Sequence, residues 1–228
     1  RHARLDQLQD IGLGRSGDNG AVIHIIAARV GADLQLFDPR DQLFDQPVCG
    51  FIAHRNRHRN RHAAFARRAK AALEMHKSRI RNHDLIAIAD FSKPSRDPRF
   101  YIVDLRNGSS AHYLVAHGKG SDPSHSGWVQ NFSNVHGSEA TSAGSYLVSD
   151  TYIGQYGESR RLIGLDPQND QAEARAIVIH PAWYVNQSLI QDQGKIGRSQ
   201  GCFAFAKEDI NAVLERVPAG CLLYADKV

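Results

Sequence analysis

The stretch "LIAIADFSKPSRDPRFYIVDL" (85–105) sets the fold class of this 228-residue chain. It contains two short runs rich in β-branched and aromatic residues, at 85–91 and 99–105, and the interval between them is rich in Ser, Pro and Asp. This composition is typical of two strands joined by a turn. The stretch therefore predicts β structure.

The same pattern recurs through the rest of the chain. Four further runs predict strands: "HYLVAHG" (112–118), "GSYLVSD" (144–150), "RAIVIH" (175–180) and "CLLYAD" (221–226). Apolar residues at helical spacing predict two helices, at 63–80 and 207–217. Many short strands with few helices predict a mainly β domain, a sandwich or a barrel, from about residue 84 to residue 228.

Residues 1–62 differ in composition and end in "HRNRHRNRH" (54–62). On a helix His54, His58 and His62 would share one face, and neutral imidazoles suit zinc or nickel. However, no carboxylate or cysteine joins them, and the interleaved arginines oppose a cation. We expect a solvated basic segment of uncertain order, without a metal site and dispensable for the domain at 63–228.

Charge and hydropathy exclude some classes of protein. A formal charge of +4 is modest for this length, and we expect no nucleic-acid partner. No apolar run approaches the ~20 residues of a membrane-spanning helix, so we expect no stable membrane insertion. The chain begins without the basic and apolar regions of a signal peptide, and its three cysteines are too few for a disulfide scaffold.

The run "GRSQGCFAF" (197–205) places Cys202 after a glycine-containing turn. A cysteine nucleophile needs a base or a positive charge nearby, and His180 ends a predicted strand from which it could reach a cleft. Because Gly201 permits unusual backbone angles, the amides of residues 201 and 202 could form an oxyanion hole. From the residues alone, a buried strand cysteine and a core histidine remain the alternative.

Several motifs in a fixed order carry a family resemblance. They are "HGKGSD" (117–122), "FSN" (132–134), a Y-x-G-x-x-G-x-S pattern (152–159), "LIGLD" (162–166), "IVIHPAWYV" (177–185) and "GRSQGCFAF" (197–205). Together they resemble the catalytic domain of murein L,D-transpeptidases over roughly residues 67–228. The resemblance implies a mainly β, YkuD-like sandwich or barrel with a few short helices.

The resemblance also implies roles for individual residues. Cys202 aligns with the nucleophile, His180 with the general base and Gly201 with the oxyanion turn. Ser199 aligns with the residue whose backbone carbonyl holds the imidazole. From the residues themselves, candidates for contact with the substrate are Arg198, His117, Ser142 and Tyr152. The alternatives are a turn cap for His117 and loop or core packing for Ser142 and Tyr152.

The reaction implied by the resemblance is that of a cysteine acyltransferase without a cofactor or metal. The cysteine forms a thioester on the stem tetrapeptides of peptidoglycan, D-Ala leaves, and an amine accepts the acyl group. The resemblance also implies a periplasmic or secreted monomer.

Two alternatives to this reaction stay open. Water as the acceptor would make the protein an L,D-carboxypeptidase. The second alternative is a non-catalytic wall-binding module, because the chain departs from the common signature. It has Gln200 where His precedes Gly-Cys, and Phe203 and Ala204 where Arg or Asn follows the cysteine.

Overall fold

An eight-stranded mixed sheet organises residues 64–227, which the computed structural model describes together with the backbone of two short upstream strands. These upstream strands, β1 (His24–Ile26) and β2 (Gln35–Phe37), pair antiparallel with each other. The predicted basic segment at 54–62 and Cys49 lie outside the described residues.

The main sheet has the order β5-β4-β3-β10-β6-β7-β8-β9. Its strands are β3 (Leu85–Asp90), β4 (Phe100–Asp104), β5 (Ser110–Tyr113), β6 (Gly144–Gly154), β7 (Gly157–Gly164), β8 (Val178–Pro181), β9 (Phe203–Phe205) and β10 (Leu222–Asp226). Two neighbouring pairs are parallel, β3 with β10 and β8 with β9, and the others are antiparallel. The predicted mainly β fold is confirmed.

The chain that follows β5 closes the sheet. The Ala116 amide donates to the Ala204 carbonyl of β9 at 2.9 Å, and Gly118 forms a second bridge with Ser199. Because β5 and β9 are the two ends of the strand order, these bridges join the edges of the sheet as in a barrel. The strand predicted at 112–118 therefore divides into β5 and this closing segment.

Aromatic side chains fill the interior of the closed sheet. Phe91, Phe100, Tyr146, Phe203 and Phe205 are fully buried there, and the rings of Phe100 and Phe205 meet edge to face at 4.7 Å. Such aromatic pairs contribute stability beyond the area that they bury. The interior therefore fixes the position of β9.

Three α-helices lie in the described part of the chain, α1 (64–75), α2 (Gln187–Gln193) and α3 (Ile210–Arg216). Helix α1 packs Phe65, Ala69 and Leu73 against the outer face of β3 and β10. It ends earlier than predicted, because residues 76–79 continue as turns. Helix α3 occupies most of the predicted 207–217 segment, and α2 was not predicted.

Candidate active site

Cys202 and His180 lie on the same face of the sheet. Strands β8 and β9 run parallel with Ile179 opposite Phe203 and His180 opposite Ala204, so the residue before Phe203 stands opposite Val178. Side chains alternate between faces, and Ile179 and Phe203 point into the core. With the usual strand spacing and rise, the Cα atoms of Cys202 and His180 are about 8 Å apart. The register therefore places the two predicted residues on neighbouring strands and on one face of the sheet.

The Cys202 thiol has two backbone partners from the segment that enters β8. Its sulfur donates to the Ala176 carbonyl at 3.5 Å and accepts from the Val178 amide. Burial raises the pKa of this thiol, whereas the Val178 amide and the Arg175 charge lower it. The side chain is partly exposed.

Cys221, the other cysteine in the described residues, is fully buried. Burial raises its pKa to about 12. The two thiols therefore differ in access and in ease of ionisation, as expected for one candidate nucleophile and one core residue.

The His180 imidazole is 4% exposed and has one fixed orientation. Its Nδ1 lies 2.9 Å from the Pro181 carbonyl, to which it can only donate, and this leaves Nε2 as the basic nitrogen. Burial lowers the pKa of His180, and the bond to Pro181 opposes this shift. The ring is therefore neutral near pH 7, the form that a general base needs.

Backbone contacts hold residues 198–201, the Cys202 turn. The Ser199 hydroxyl donates to the Cys202 carbonyl at 2.7 Å and accepts from the Gly201 amide at 3.1 Å. The resemblance assigns the Ser199 carbonyl to the imidazole. In the structure that carbonyl accepts from the Lys119 amide at 2.8 Å, and the imidazole donates to Pro181 instead.

Gly201 adopts a conformation that only glycine reaches easily. Its φ is +116°, and a Cβ at this position would lie 2.8 Å from the Ala140 carbonyl oxygen. A larger residue would strain the backbone and push the neighbouring loop away. The turn therefore depends on this glycine.

His117 is fully buried below the Cys202 turn rather than exposed in a cleft. Its Nδ1 accepts from Arg99 Nη2 at 2.6 Å, and its Nε2 lies 3.4 Å from Asp122 Oδ2. Burial, together with the Arg99 charge, lowers the pKa of His117 to about 3. Its carbonyl accepts from the Ser199 amide at 2.9 Å, so this predicted substrate contact supports the turn from inside.

Ser142 and Arg198 also have internal partners. Ser142 is fully buried, and its hydroxyl donates to the Ser133 carbonyl at 2.9 Å. Arg198 donates to the carbonyls of Asp122 and Pro123. Both predicted substrate contacts therefore join loops around the turn.

Tyr152 is the predicted substrate contact on the same face as the thiol. It stands opposite Ser159 in the β6–β7 pair, and Arg161, two residues further, stands opposite Val178. Cross-strand partners share a face, so Tyr152 and Arg161 lie on the face of Cys202. The Arg161 guanidinium lies 4.5 Å from the centre of the Tyr152 ring.

Sequence reasoning missed three residues of this site. Tyr156 stacks on the His180 imidazole from the turn between β6 and β7. The Thr141 hydroxyl accepts from the Gly118 amide and donates to the Gly201 carbonyl at 3.2 Å. Arg175 contacts the loop at 133–142. No motif singled out any of the three, and Tyr156 stands at an unspecified position of the Y-x-G-x-x-G-x-S pattern.

The described part of the chain contains neither a candidate metal site nor a membrane-spanning helix. Between residues 64 and 227, no group of three or more His, Cys, Asp or Glu side chains has a geometry that could hold a metal ion. No helix in the same region is long and apolar enough to cross a membrane.

Comparison with solved structures finds similar L,D-transpeptidases. An L,D-transpeptidase from Mycobacterium smegmatis is 12% identical, covering 63% of this chain and 58% of that chain, with a TM-score of 0.39. L,D-transpeptidase 3 from Mycobacterium tuberculosis, in complex with a faropenem-derived adduct, is 12% identical, with coverages of 63% and 60% and a TM-score of 0.40. An L,D-transpeptidase from Xylanimonas cellulosilytica is 12% identical, with coverages of 62% and 60% and a TM-score of 0.38. The chain thus spans about three fifths of the length of these proteins.

Comparison with curated protein sequences finds no match. The model of the L,D-transpeptidase catalytic domain family matches residues 56–225, which is most of the chain and includes every described residue of the candidate site. The chain belongs to the L,D-transpeptidase catalytic domain family.

Proposed function

We propose that this domain is a cysteine peptidoglycan L,D-transpeptidase. It forms a thioester on stem tetrapeptides, releases D-Ala and transfers the acyl group to an amine. The observation that carries the proposal is the parallel register of β8 and β9, with a partly exposed thiol and a basic imidazole on one face. The family match supports peptidoglycan as the substrate class.

The first step is proton transfer from Cys202 to His180. The bond from His180 Nδ1 to Pro181 leaves the Nε2 lone pair to accept the thiol proton. Because burial lowers the pKa of His180 and raises that of Cys202, both groups are neutral in the free enzyme. We therefore expect the proton to move when the substrate is bound.

The thiolate then attacks the carbonyl carbon of the peptide bond that precedes the terminal D-Ala. A C–S bond forms, and the carbonyl oxygen becomes an oxyanion that backbone amides can stabilise. The Gly201 amide donates to Ser199, so the Cys202 amide is the main candidate for this role. The C–N bond breaks as protonated His180 returns its proton to the leaving amine, and the thioester remains.

The second half of the reaction frees the enzyme. The acceptor amine attacks the thioester, a new amide bond forms, and the C–S bond breaks to return Cys202. His180 accepts the proton that the amine loses and passes it to the released Cys202 thiolate, so both groups are neutral again. Water attacking the same thioester would release a tripeptide and make the protein an L,D-carboxypeptidase.

Purified disaccharide-tetrapeptide muropeptides provide the test of this proposal. Incubation with the protein, followed by mass spectrometry, should yield free D-Ala and cross-linked dimers. Cys202→Ala should abolish both products, whereas Cys221→Ala is the matched control and should retain both.

Other outcomes select among the alternatives. Release of D-Ala without dimers would establish hydrolysis instead of transfer. Binding to peptidoglycan without any turnover would contradict the enzymatic proposal and favour a non-catalytic wall-binding module.

A further inference from the structure

The Arg175 guanidinium is held by four neutral acceptors. Nη1 donates to the Ser133 carbonyl and the Ser142 hydroxyl, each at 2.7 Å. Nη2 donates to the Ala140 carbonyl at 2.5 Å and to the Ser138 hydroxyl at 3.3 Å. These bonds fix the group beneath the loop at 133–142.

None of these acceptors neutralises the positive charge. Among residues 64–227, no carboxylate lies within 4.0 Å of the Arg175 guanidinium. Burial lowers the pKa of Arg175, but an arginine keeps its proton at neutral pH. The site therefore contains a fixed cation without a carboxylate partner in the described residues.

This cation lies beside the Cys202 turn. A Cβ built on Gly201 would be 3.3 Å from Arg175 Nη2. The residue after Arg175, Ala176, has a positive φ of 53° and turns its carbonyl towards the Cys202 sulfur. One short segment thus presents both a positive charge and a backbone partner to the turn.

The other ionisable groups that face the thiol are uncharged near neutral pH. Burial raises the pKa of Tyr146 on β6 and of Tyr184 in the loop after β8, and each of these groups interacts with Cys202. On β8, burial lowers the pKa of His180. Within the described residues, the formal charge that acts on the thiol is therefore that of Arg175.

We propose that Arg175 is a positioning residue whose unpaired charge stabilises the Cys202 thiolate while its four donors hold the neighbouring loop in place. The inference rests on the proposed function, because it assigns a supporting group to that nucleophile. Arg175 also supplies a positive charge to a turn that lacks a basic residue directly after the cysteine.

The test compares charge with hydrogen bonding at position 175. The pH dependence of Cys202 alkylation by iodoacetamide would be measured by mass spectrometry in the full chain and its Arg175→Lys and Arg175→Gln variants. Arg175→Gln keeps two N–H donors but loses the charge, so the midpoint of Cys202 alkylation should rise by about one pH unit and the rate at pH 7.5 should fall about tenfold. Arg175→Lys keeps the charge and should stay within about threefold of the unmodified chain.

Arg160→Gln is the matched control. Arg160 is another largely buried guanidinium that donates to neutral acceptors, Thr151 and the Val217 carbonyl, but the cysteine near it is Cys221. This variant should leave the Cys202 midpoint unchanged. A shift equal to that of Arg175→Gln would overturn the proposal, because it would reflect general loss of packing.

The remaining outcomes would overturn either the role of Arg175 or the proposed function. If both Arg175 variants keep the midpoint of the unmodified chain, the charge has no role. If Arg175→Gln does not fold, Arg175→Lys alone is measured. A midpoint of Cys202 alkylation that rises by about one pH unit in Arg175→Lys overturns the proposal, because this variant keeps the charge. If the unmodified chain shows no reaction faster than that of an ordinary thiol and no turnover of muropeptides, the proposed function itself fails.

Discussion

Tyr156 stacks on His180, with ring centroids 4.9 Å apart and ring planes inclined by 26°. Tyr156 is 59% exposed, so it covers the imidazole from the solvent side without belonging to the core. The neighbouring Gly157 brings the hairpin turn close to Pro181, which also accepts the hydrogen bond of the imidazole. The imidazole is therefore held at its edge and on one face.

Tyr156→Ala should raise the pKa of His180, because the imidazole loses its cover, and should slow Cys202 alkylation, because the stack no longer fixes the orientation of the ring. An aromatic pair contributes roughly 0.5–1.5 kcal/mol, which corresponds to about a two- to tenfold lower rate. Tyr156→Phe should retain the rate of the unmodified chain. Alkylation kinetics and an NMR titration of the imidazole would check both values.

Ile153→Ala is the control for this prediction, because Ile153 is 80% exposed and lies at the end of β6 in the same hairpin. Ile153→Ala should change neither the rate of Cys202 alkylation nor the pKa of His180. Equal effects from the Ala variants at 153 and 156 would assign the change to the hairpin rather than to the stack.

Cys202 should react with iodoacetamide near neutral pH much faster than Cys221. Cys202 is partly exposed, whereas Cys221 is fully buried with a pKa raised to about 12. His180→Ala should slow the labelling of Cys202 and leave Cys221 unchanged, because the thiol loses its base. Site-resolved mass spectrometry would measure both rates.

A carbapenem should form a covalent adduct on Cys202, visible by intact mass, since its strained ring is an acyl donor. Cys202→Ala should abolish this adduct, and Cys221→Ala should retain it. An adduct on both thiols, or on neither, would argue against selective activation of Cys202.

Gly201→Ala should lower the free energy of unfolding by about 1–3 kcal/mol and abolish turnover. The added methyl group would meet the Ala140 carbonyl at 2.8 Å in a backbone of positive φ. Gly194→Ala is the matched control, because Gly194 also has a positive φ but has open space around it. Gly194→Ala should lower the free energy of unfolding by about 1 kcal/mol and preserve turnover. Denaturant unfolding and muropeptide assays would compare the two variants.

Acid should destabilise the fold through His117. Its pKa is about 3 in the folded protein, whereas an unfolded chain has the ordinary histidine value of 6.5, so the unfolded state binds the extra proton between these limits. The free energy of unfolding should therefore fall as pH falls from about 6.5 towards 3, by at most about 1.4 kcal/mol per pH unit. His117→Gln should reduce this slope in denaturant titrations, and an unchanged slope would contradict the assignment.

The sequence allowed prediction of strands whose runs are apolar, such as β3 and β4. It did not reveal β7, because "GESRRLIG" carries Glu158, Arg160 and Arg161. Arg160 is tolerated in that strand because its guanidinium donates to Thr151 and to the carbonyl of Val217, 57 residues further along the chain. No local pattern contains such a partner.

Some residues of the candidate site were likewise predictable from local sequence, and others were not. Cys202 and His180 occur in compact motifs, so they were predicted. Arg175 looked like the first residue of a strand, and its position became evident only with the acceptors at 133–142, more than 30 residues earlier. The burial of His117 and Ser142 was equally invisible, because it depends on how distant loops pack.

The closure of the sheet ties the integrity of the whole barrel to the Cys202 turn. The seam of the ring consists of two bridges, from Ala116 to Ala204 and from Gly118 to Ser199. These bridges lie on either side of Cys202 in the sequence. A fluctuation that breaks these two bridges would expose the edge of β9. It would also release the turn that positions the thiol. Substitutions anywhere in the ring that favour its opening should therefore reduce reactivity before they unfold the domain.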